Sequence, residues 1–168
     1  VVTVPALPRG PRLVQLPATT VVGLRVTAPF RELFTAVPAA WREVFARAGE
    51  LSFRLDDGFV DCSLGEEEGV YTELIGVRAP EGTRPPAGFE AVVLGAGTYA
   101  ALTHPGPVAG IAGAFGELER WIAALPPAED GRRFVHDGVK LDVGYLPDGS
   151  EAEPGGAGHV LHARVVLR

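Results

Sequence analysis

Apolar and polar residues alternate along Val139-Lys140-Leu141-Asp142-Val143-Gly144-Tyr145. As a β-strand, this run turns Val139, Leu141, Val143 and Tyr145 to one face and Lys140, Asp142 and Gly144 to the other. A strand buried on both faces would be apolar throughout, so one packed and one wetter face is expected. The same reading applies along the chain. An apolar, proline-rich arm over residues 1–17 leads into a strand over 19–28, with Val22, Leu24, Val26 and Ala28 on one face. Leu33, Phe34, Val37, Trp41, Val44, Phe45 and Ala48 recur at spacings of three and four, predicting a helix over 31–48. Pro38 should kink that helix or mark its true first turn, and Gly49 should stop it.

Residues 51–57 are ambiguous, and Asp57-Gly58 is a turn signal. A short strand over 59–64, a glutamate-rich hairpin turn over 65–69 and a strand over 70–77 follow. The last places Tyr71, Glu73, Ile75 and Val77 together. A Pro/Gly-rich loop over 78–88 joins two halves. Residues 89–103 read as one long strand interrupted by a bulge or turn at Gly95-Ala96-Gly97. A second helix over 108–125 carries Ile111, Phe115, Leu118, Trp121, Ile122 and Leu125. A strand or hairpin over 133–145 is broken near Asp137-Gly138. Pro147-Asp148-Gly149 turns the chain, residues 150–158 form an acidic, glycine-rich loop, and residues 159–167 form a closing strand.

The halves match at one offset of 76 residues. Val26-Thr27-x-Pro29 corresponds to Leu102-Thr103-x-Pro105, Glu43 to Glu119, Phe45 to Trp121 and Ala48 to Ala124. Each half reads strand, helix, strand, strand, as a duplicated αβ module would. The expected fold is α+β, one domain over 1–168 with modules at about 11–78 and 88–168. The two modules, related by a pseudo-twofold axis, would form one curved antiparallel sheet with two helices on one face and a ligand cleft on the other.

Composition narrows the function. A 46% hydrophobic and 21% charged chain of 168 residues is globular rather than disordered. Its formal charge of −6 argues against nucleic-acid binding by this segment, which needs a cationic face, and suits cationic ligands. Cys62 is alone, so no intrachain disulfide forms, and a reducing, cytoplasmic setting is the simpler reading. No apolar run has the roughly 18–20 residues of a membrane helix, and no signal peptide is visible. A chain starting at Val1 with no Met anywhere suggests that the true N-terminus, and with it a further domain, lies upstream.

The element order, the repeat and four phrases together resemble the GyrI-like small-molecule-binding family. The phrases are Val70-Tyr71-Thr72-Glu73-Leu74-Ile75-Gly76-Val77, the run from Gly97-Thr98-Tyr99 to His104-Pro105-Gly106, the helix ending at Trp121-Ile122, and Leu141-Asp142-Val143-Gly144-Tyr145. That family includes a gyrase-inhibitory protein and the effector-binding domains of AraC-type and MerR-type multidrug-responsive regulators. The resemblance implies a carboxylate at the cleft floor on the strand after the second helix, usually a glutamate followed two residues later by a bulky residue. Here the positions hold Asp142 and Gly144: the carboxylate is one methylene shorter and the missing side chain leaves space. The implied ligands are bulky aromatic or lipophilic cations, drawn by charge pairing and cation–π contact. Other members resemble hydrolases that open cyclopropane rings, with the acid assisting water; an Asp alters its reach.

The resemblance makes Asp142 a charge-recognition residue and a catalytic one only if the protein is a hydrolase; on alternation alone it is a polar residue on a wet face. Glu73, Tyr71 and Tyr99 are expected on the cleft walls, against solvation for Glu73 and ordinary packing for the tyrosines. Trp41 would reach over the cleft edge or pack in the core. His136 shares alternation with Lys140 and Asp142 provided the Asp137-Gly138 turn keeps the register, and would assist proton transfer or lie on the surface. His159-x-x-His162 on a strand points to opposite faces, so no metal site is expected. No phosphate-binding glycine loop or nucleophile elbow is present, Cys62 lies near acids that raise its pKa, and no cofactor is implied. Three readings follow: a small-molecule binder, alone or as the sensor of a fused or separate regulator domain; a hydrolase detoxifying electrophilic small molecules; or a protein-binding inhibitor.

Overall fold

A computed structural model describes residues 9–55, 58–105, 107–145 and 159–168. The N-terminal arm up to residue 8, the Asp57-Gly58 turn at its first residue, and the turn and acidic loop expected over 147–158 lie outside the described residues. Ten principal elements follow in chain order: β1 (Arg12–Leu16), β2 (Thr19–Pro29), α1 (Phe30–Ala46), β3 (Phe59–Glu67), β4 (Val70–Ala79), β5 (Glu90–Leu94), β6 (Gly97–His104), α2 (Ile111–Ala124), β7 (Phe134–Tyr145) and β8 (His159–Leu167). Short 3-10 turns at Ala48–Leu51 and Val108–Gly110 flank the helices.

Pro29 is extended, at φ −58° and ψ 152°, and passes the chain from β2 directly into α1. The helix therefore starts at Phe30, and Pro38 lies inside it rather than at its first turn. There the ring removes one donor, the bond that would have reached the Phe34 carbonyl. Residues 89–103 are not one strand with a bulge. β5 pairs with β2, whereas β6 pairs with β1 and β8.

The strand order β1-β6-β8-β7-β3-β4-β2-β5 reads the same from either edge when β1–β4 and β5–β8 are exchanged, the order that two equivalent modules give. Neighbouring strands are antiparallel throughout. β1 and β2 stand six strand intervals apart, about 29 Å in a flat sheet, yet only Pro17 and Ala18 join them. Gly95 and Ala96 likewise join β5 to β6. Three residue steps span at most about 11 Å, so the sheet curls until its outer ends approach. The ladders agree: Leu16 opposes Gly97 and Thr19 opposes Leu94, one continuous register across the two breaks.

Curling gives the sheet an inner and an outer face. Val21, Val60, Cys62, Leu74, Leu94, Val139 and Leu141 bury one another on the inner face, with no helix over them. Gly23 and Gly76 oppose each other there, and a Cβ on Gly76 would stand 2.0 Å from the Val22 carbonyl oxygen. Backbone approaches this close admit only glycine. The outer face carries both helices. α1 lies over β2 and β4, burying Val44 and Ala40 against Val22, Ile75 and Phe59. α2 lies over β6, β7 and β8, burying Leu118 and Ile122 against Leu102, Leu161 and Val165.

The open cleft is therefore not on the face away from the helices, where the two-module reading of the sequence places it. That face is filled by its own side chains. The cleft lies on the helical face, where the helices stand toward opposite ends of the sheet and leave β3 and the adjoining parts of β4 and β7 open between them.

Candidate functional site: the cleft between the helices

The cavity holds about 530 Å³, within the range of small-molecule sites. Its floor is Asp61 and Ser63 of β3, Tyr71 and Glu73 of β4, and Lys140 and Asp142 of β7. Phe30, Phe34 and Val37 of α1 form one wall, and Ile111, Phe115 and Glu119 of α2 the other. Alternation explains the floor: on strands packed below by the inner core, every second residue faces the helices; under α1 these are apolar (Phe59, Ile75, Val77), and between the helices they are mainly polar.

Asp142 is 3% exposed. His159 Nδ1 lies 2.9 Å from its Oδ1, while Oδ2 is buried with no hydrogen-bond partner among the described residues. Leaving a carboxylate oxygen unsatisfied is costly, and a cationic or donor ligand in the cleft would satisfy it. Asp61 stands directly opposite Asp142 across β3 and β7, a placement that puts Cβ atoms about 4.5–5.5 Å apart. Asp61 keeps some surface within the cleft, but the protein around it dominates. Burial first, then the charges of Glu73 and Asp142, hold its carboxyl well above the usual carboxylate range. Glu73 is also raised by burial, opposed by hydrogen bonds from Ser63 and Asp61 and by Lys140. The neighbouring Asp61 and Glu73 carboxyls act in opposite senses on each other, raising Asp61 and lowering Glu73. Ser63 Oγ donates to Glu73 Oε1 at 3.1 Å.

One cation faces this set from the floor. Lys140 Nζ is 3.2 Å from Glu119 Oε1 and lies 5.0 Å above the Phe115 ring, drawn toward the α2 wall. Aromatic rings close the mouth: Phe30 meets Phe34 at 5.4 Å and Tyr71 at 5.7 Å between centroids. Phe34 is 72% exposed, an unusual place for a large apolar ring on a helix.

Of the residues singled out from sequence, Asp142, Glu73 and Tyr71 meet in this cleft. Tyr99 does not: it is buried on the inner face, edge-on to His162, and burial raises its phenol pKa. Trp41 stacks on Phe45 at 5.0 Å over the first module's core and is not part of the cleft lining. Gly144 is the extra residue where the β3–β7 register shifts, at φ 139°, so its lack of a side chain serves a bulge rather than the cleft lining. His136 keeps the helical face, because the Asp137–Val139 irregularity leaves the alternation in phase. It lies outside the lining, 3.5 Å from Glu119.

Asp61 and His159 escaped the sequence reading. Each sits on a strand of ordinary alternation, and each becomes significant only once the register places it beside Asp142. His162 faces the inner side, where burial lowers its pKa, so the two histidines of β8 do diverge. No group of three metal-ligating side chains occurs among the described residues. Cys62 is on the inner face, its thiol pushed up to about 12 by burial and by Asp61 and Glu73. In a second hollow of about 530 Å³ between α1 and β5, Arg25 and Glu90 pair at 2.5 Å and Glu43 lies 3.5 Å from Arg47. Among the described residues, no helix is long and apolar enough to cross a membrane.

The profile of the GyrI-like small molecule binding domain matches residues 10–135, and the chain belongs to that family. No curated protein matches its sequence. Among solved structures it is similar to SAV2435 bound to tetraphenylphosphonium, with TM-score 0.66 and 13% identity over 95% of this chain and 94% of that one. It is similar to the C-terminal domain of EcmrR, with TM-score 0.60 and 14% identity over 94% and 97% of the two chains. A hydrolase from Listeria innocua is also similar, with TM-score 0.52 and 12% identity over 94% and 92%. The fold is that of an α+β small-molecule-binding domain.

Proposed function

We propose that this protein binds bulky aromatic or lipophilic cations in the cleft between its helices. One observation carries the reading: a buried Asp142 oxygen without a hydrogen-bond partner among the described residues, at the floor of a cavity walled by aromatic rings. A delocalised organic cation loses little hydration on entry, gains charge attraction from Asp142, and lays its apolar surface on Phe30, Phe34, Tyr71 and Phe115. Glu73 adds to the acidic floor, and Lys140 is occupied by Glu119. The tetraphenylphosphonium held by SAV2435 is a ligand of this class. The likeness to the EcmrR C-terminal domain supports a role as the sensor part of a regulator, with a stand-alone binder as the alternative.

Tetraphenylphosphonium and tetraphenylborate share shape and apolar surface and differ in the sign of charge. Calorimetric titration should show micromolar binding of the phosphonium and none of the borate. Equal binding of both would reduce the cleft to an apolar pocket.

A second reading, hydrolysis of an electrophilic small molecule, is favoured by the His159–Asp142 contact at 2.9 Å, which orients a carboxylate that could position water. Turnover of a cyclopropane-bearing substrate that survives in Asp142→Asn would remove Asp142 from such a mechanism.

A further inference from the structure

Lys140 is the only lysine in the chain, and it stands on the cleft floor two residues before Asp142, on the same face of β7. Its ammonium turns to the α2 wall, 5.0 Å from the centroid of the Phe115 ring and 3.2 Å from Glu119 Oε1. Phe115 is itself part of the cleft lining. Resting on the cation-binding reading, we propose that Lys140 is a built-in competitor of the ligand: its ammonium holds the face of the Phe115 ring that a ligand cation would use, and must leave it on binding.

The two occupants exclude each other. A ring face attracts a cation within about 6 Å of its centroid, and a bulky cation laid on Phe115 would stand where Nζ stands. Charge adds to sterics. Lys140 and Asp142 are two residues apart along one strand, about 6.7 Å between Cα atoms. A cation drawn to Asp142 and stacked on Phe115 therefore meets the lysine charge at short range, where solvent screens the repulsion only in part.

The residue type suits a contact that is made and broken. Arginine spreads its charge over a planar fork that stacks on aromatic faces, whereas lysine carries a compact, strongly hydrated ammonium on a flexible four-carbon stem. Elsewhere the chain sets arginine over rings, Arg47 over Phe89 and Arg54 over Phe59. Over the cleft ring it uses lysine. Glu119 gives the displaced ammonium a place to stay: its side chain is 47% exposed and that of Lys140 31%, so the pair can swing outward together without leaving either charge alone.

The test is calorimetric titration of the full chain with tetraphenylphosphonium. Lys140→Met keeps the stem and removes the charge, and should tighten binding about fivefold, the worth of one cation–π contact. In a Phe115→Leu background, where no ring face is contested, the same substitution should gain about twofold or less. That difference separates displacement from a plain gain in negative potential, which would be equal in both backgrounds. In the natural protein, isotope-labelled lysine gives the NMR signals of one side chain. Its ε-methylene should show a nuclear Overhauser contact to the Phe115 ring that is lost at saturation with the phosphonium. Affinity unchanged or weakened in Lys140→Met, as a purely structural tie between β7 and α2 would give, an equal gain without the ring, or a contact that persists in the complex would each overturn the proposal while leaving cation binding intact. Failure of tetraphenylphosphonium to bind any of these proteins would instead remove the reading on which the proposal rests.

Discussion

His159 Nδ1 holds Oδ1 of Asp142 at 2.9 Å from the closing strand, while Oδ2 of the same carboxylate stays buried at the cleft floor with no partner among the described residues. The histidine is 1% exposed, so water cannot take its place. His159→Phe keeps the ring and removes the nitrogen, leaving both Asp142 oxygens unsatisfied. A loss of about 1–3 kcal/mol is expected, read in urea denaturation. In the double variant with Asp142→Asn, the amide needs no such partner as a charge would, and the further loss from His159→Phe should be smaller. Equal losses in both backgrounds would deny the coupling.

Asp61 should make stability fall with rising pH. Its folded pKa is raised above the unfolded value by burial, Glu73 and Asp142. The folded state therefore binds more protons between the two values, and stability is lost as pH rises from the ordinary carboxylate range through the raised pKa. Asp61→Asn removes that loss. Its melting temperature should exceed that of the natural protein near neutral pH, and the gap should close toward pH 4. A gap independent of pH would mean that Asp61 titrates alike in the folded and unfolded states, contrary to a raised folded pKa.

Phe34 should matter to ligand and little to the fold. At 72% exposure it contributes little core, so Phe34→Ala should change stability by no more than about 0.5 kcal/mol. Tetraphenylphosphonium affinity should fall about fivefold or more, corresponding to a lost aromatic contact of about 1 kcal/mol. A stability loss without an affinity loss would make the ring structural.

Two glycines give opposite expectations. A Cβ at Gly76 would meet the Val22 oxygen at 2.0 Å, and the opposing strand cannot retreat without opening the curled sheet. Gly76→Ala should cost about 3 kcal/mol or more, at the upper end of overpacking. Gly113 lies in α2 with open space around it, so Gly113→Ala should gain up to about 1 kcal/mol from helix propensity. Denaturation midpoints check both.

Most elements were legible in the chain because period-two and period-3.6 patterns are local properties. β2, β4 and both helices fall within a few residues of their expected bounds. What failed was non-local. Alternation divides Lys140 and Asp142 from Leu141 and Val143 but does not say which side receives the helices, so the cleft was expected on the wrong face. Tyr99 carried the same ambiguity. Gly95-Ala96 resembles a bulge because the register continues through it, although the chain changes partners there. Asp61 and His159 acquire meaning only from cross-strand register, which depends on strands far apart in sequence.

Asp142 carries the account, and its amide is the sharpest probe of it. Asn is nearly isosteric and can keep a hydrogen bond to His159, so Asp142→Asn should fold while losing the charge at the cleft floor. Calorimetric titration of both proteins with tetraphenylphosphonium at pH 7 should show binding weaker by about tenfold to a hundredfold in the variant, roughly 1.4–2.8 kcal/mol. An unchanged dissociation constant in a folded Asp142→Asn protein would contradict the assignment of this carboxylate to cation recognition.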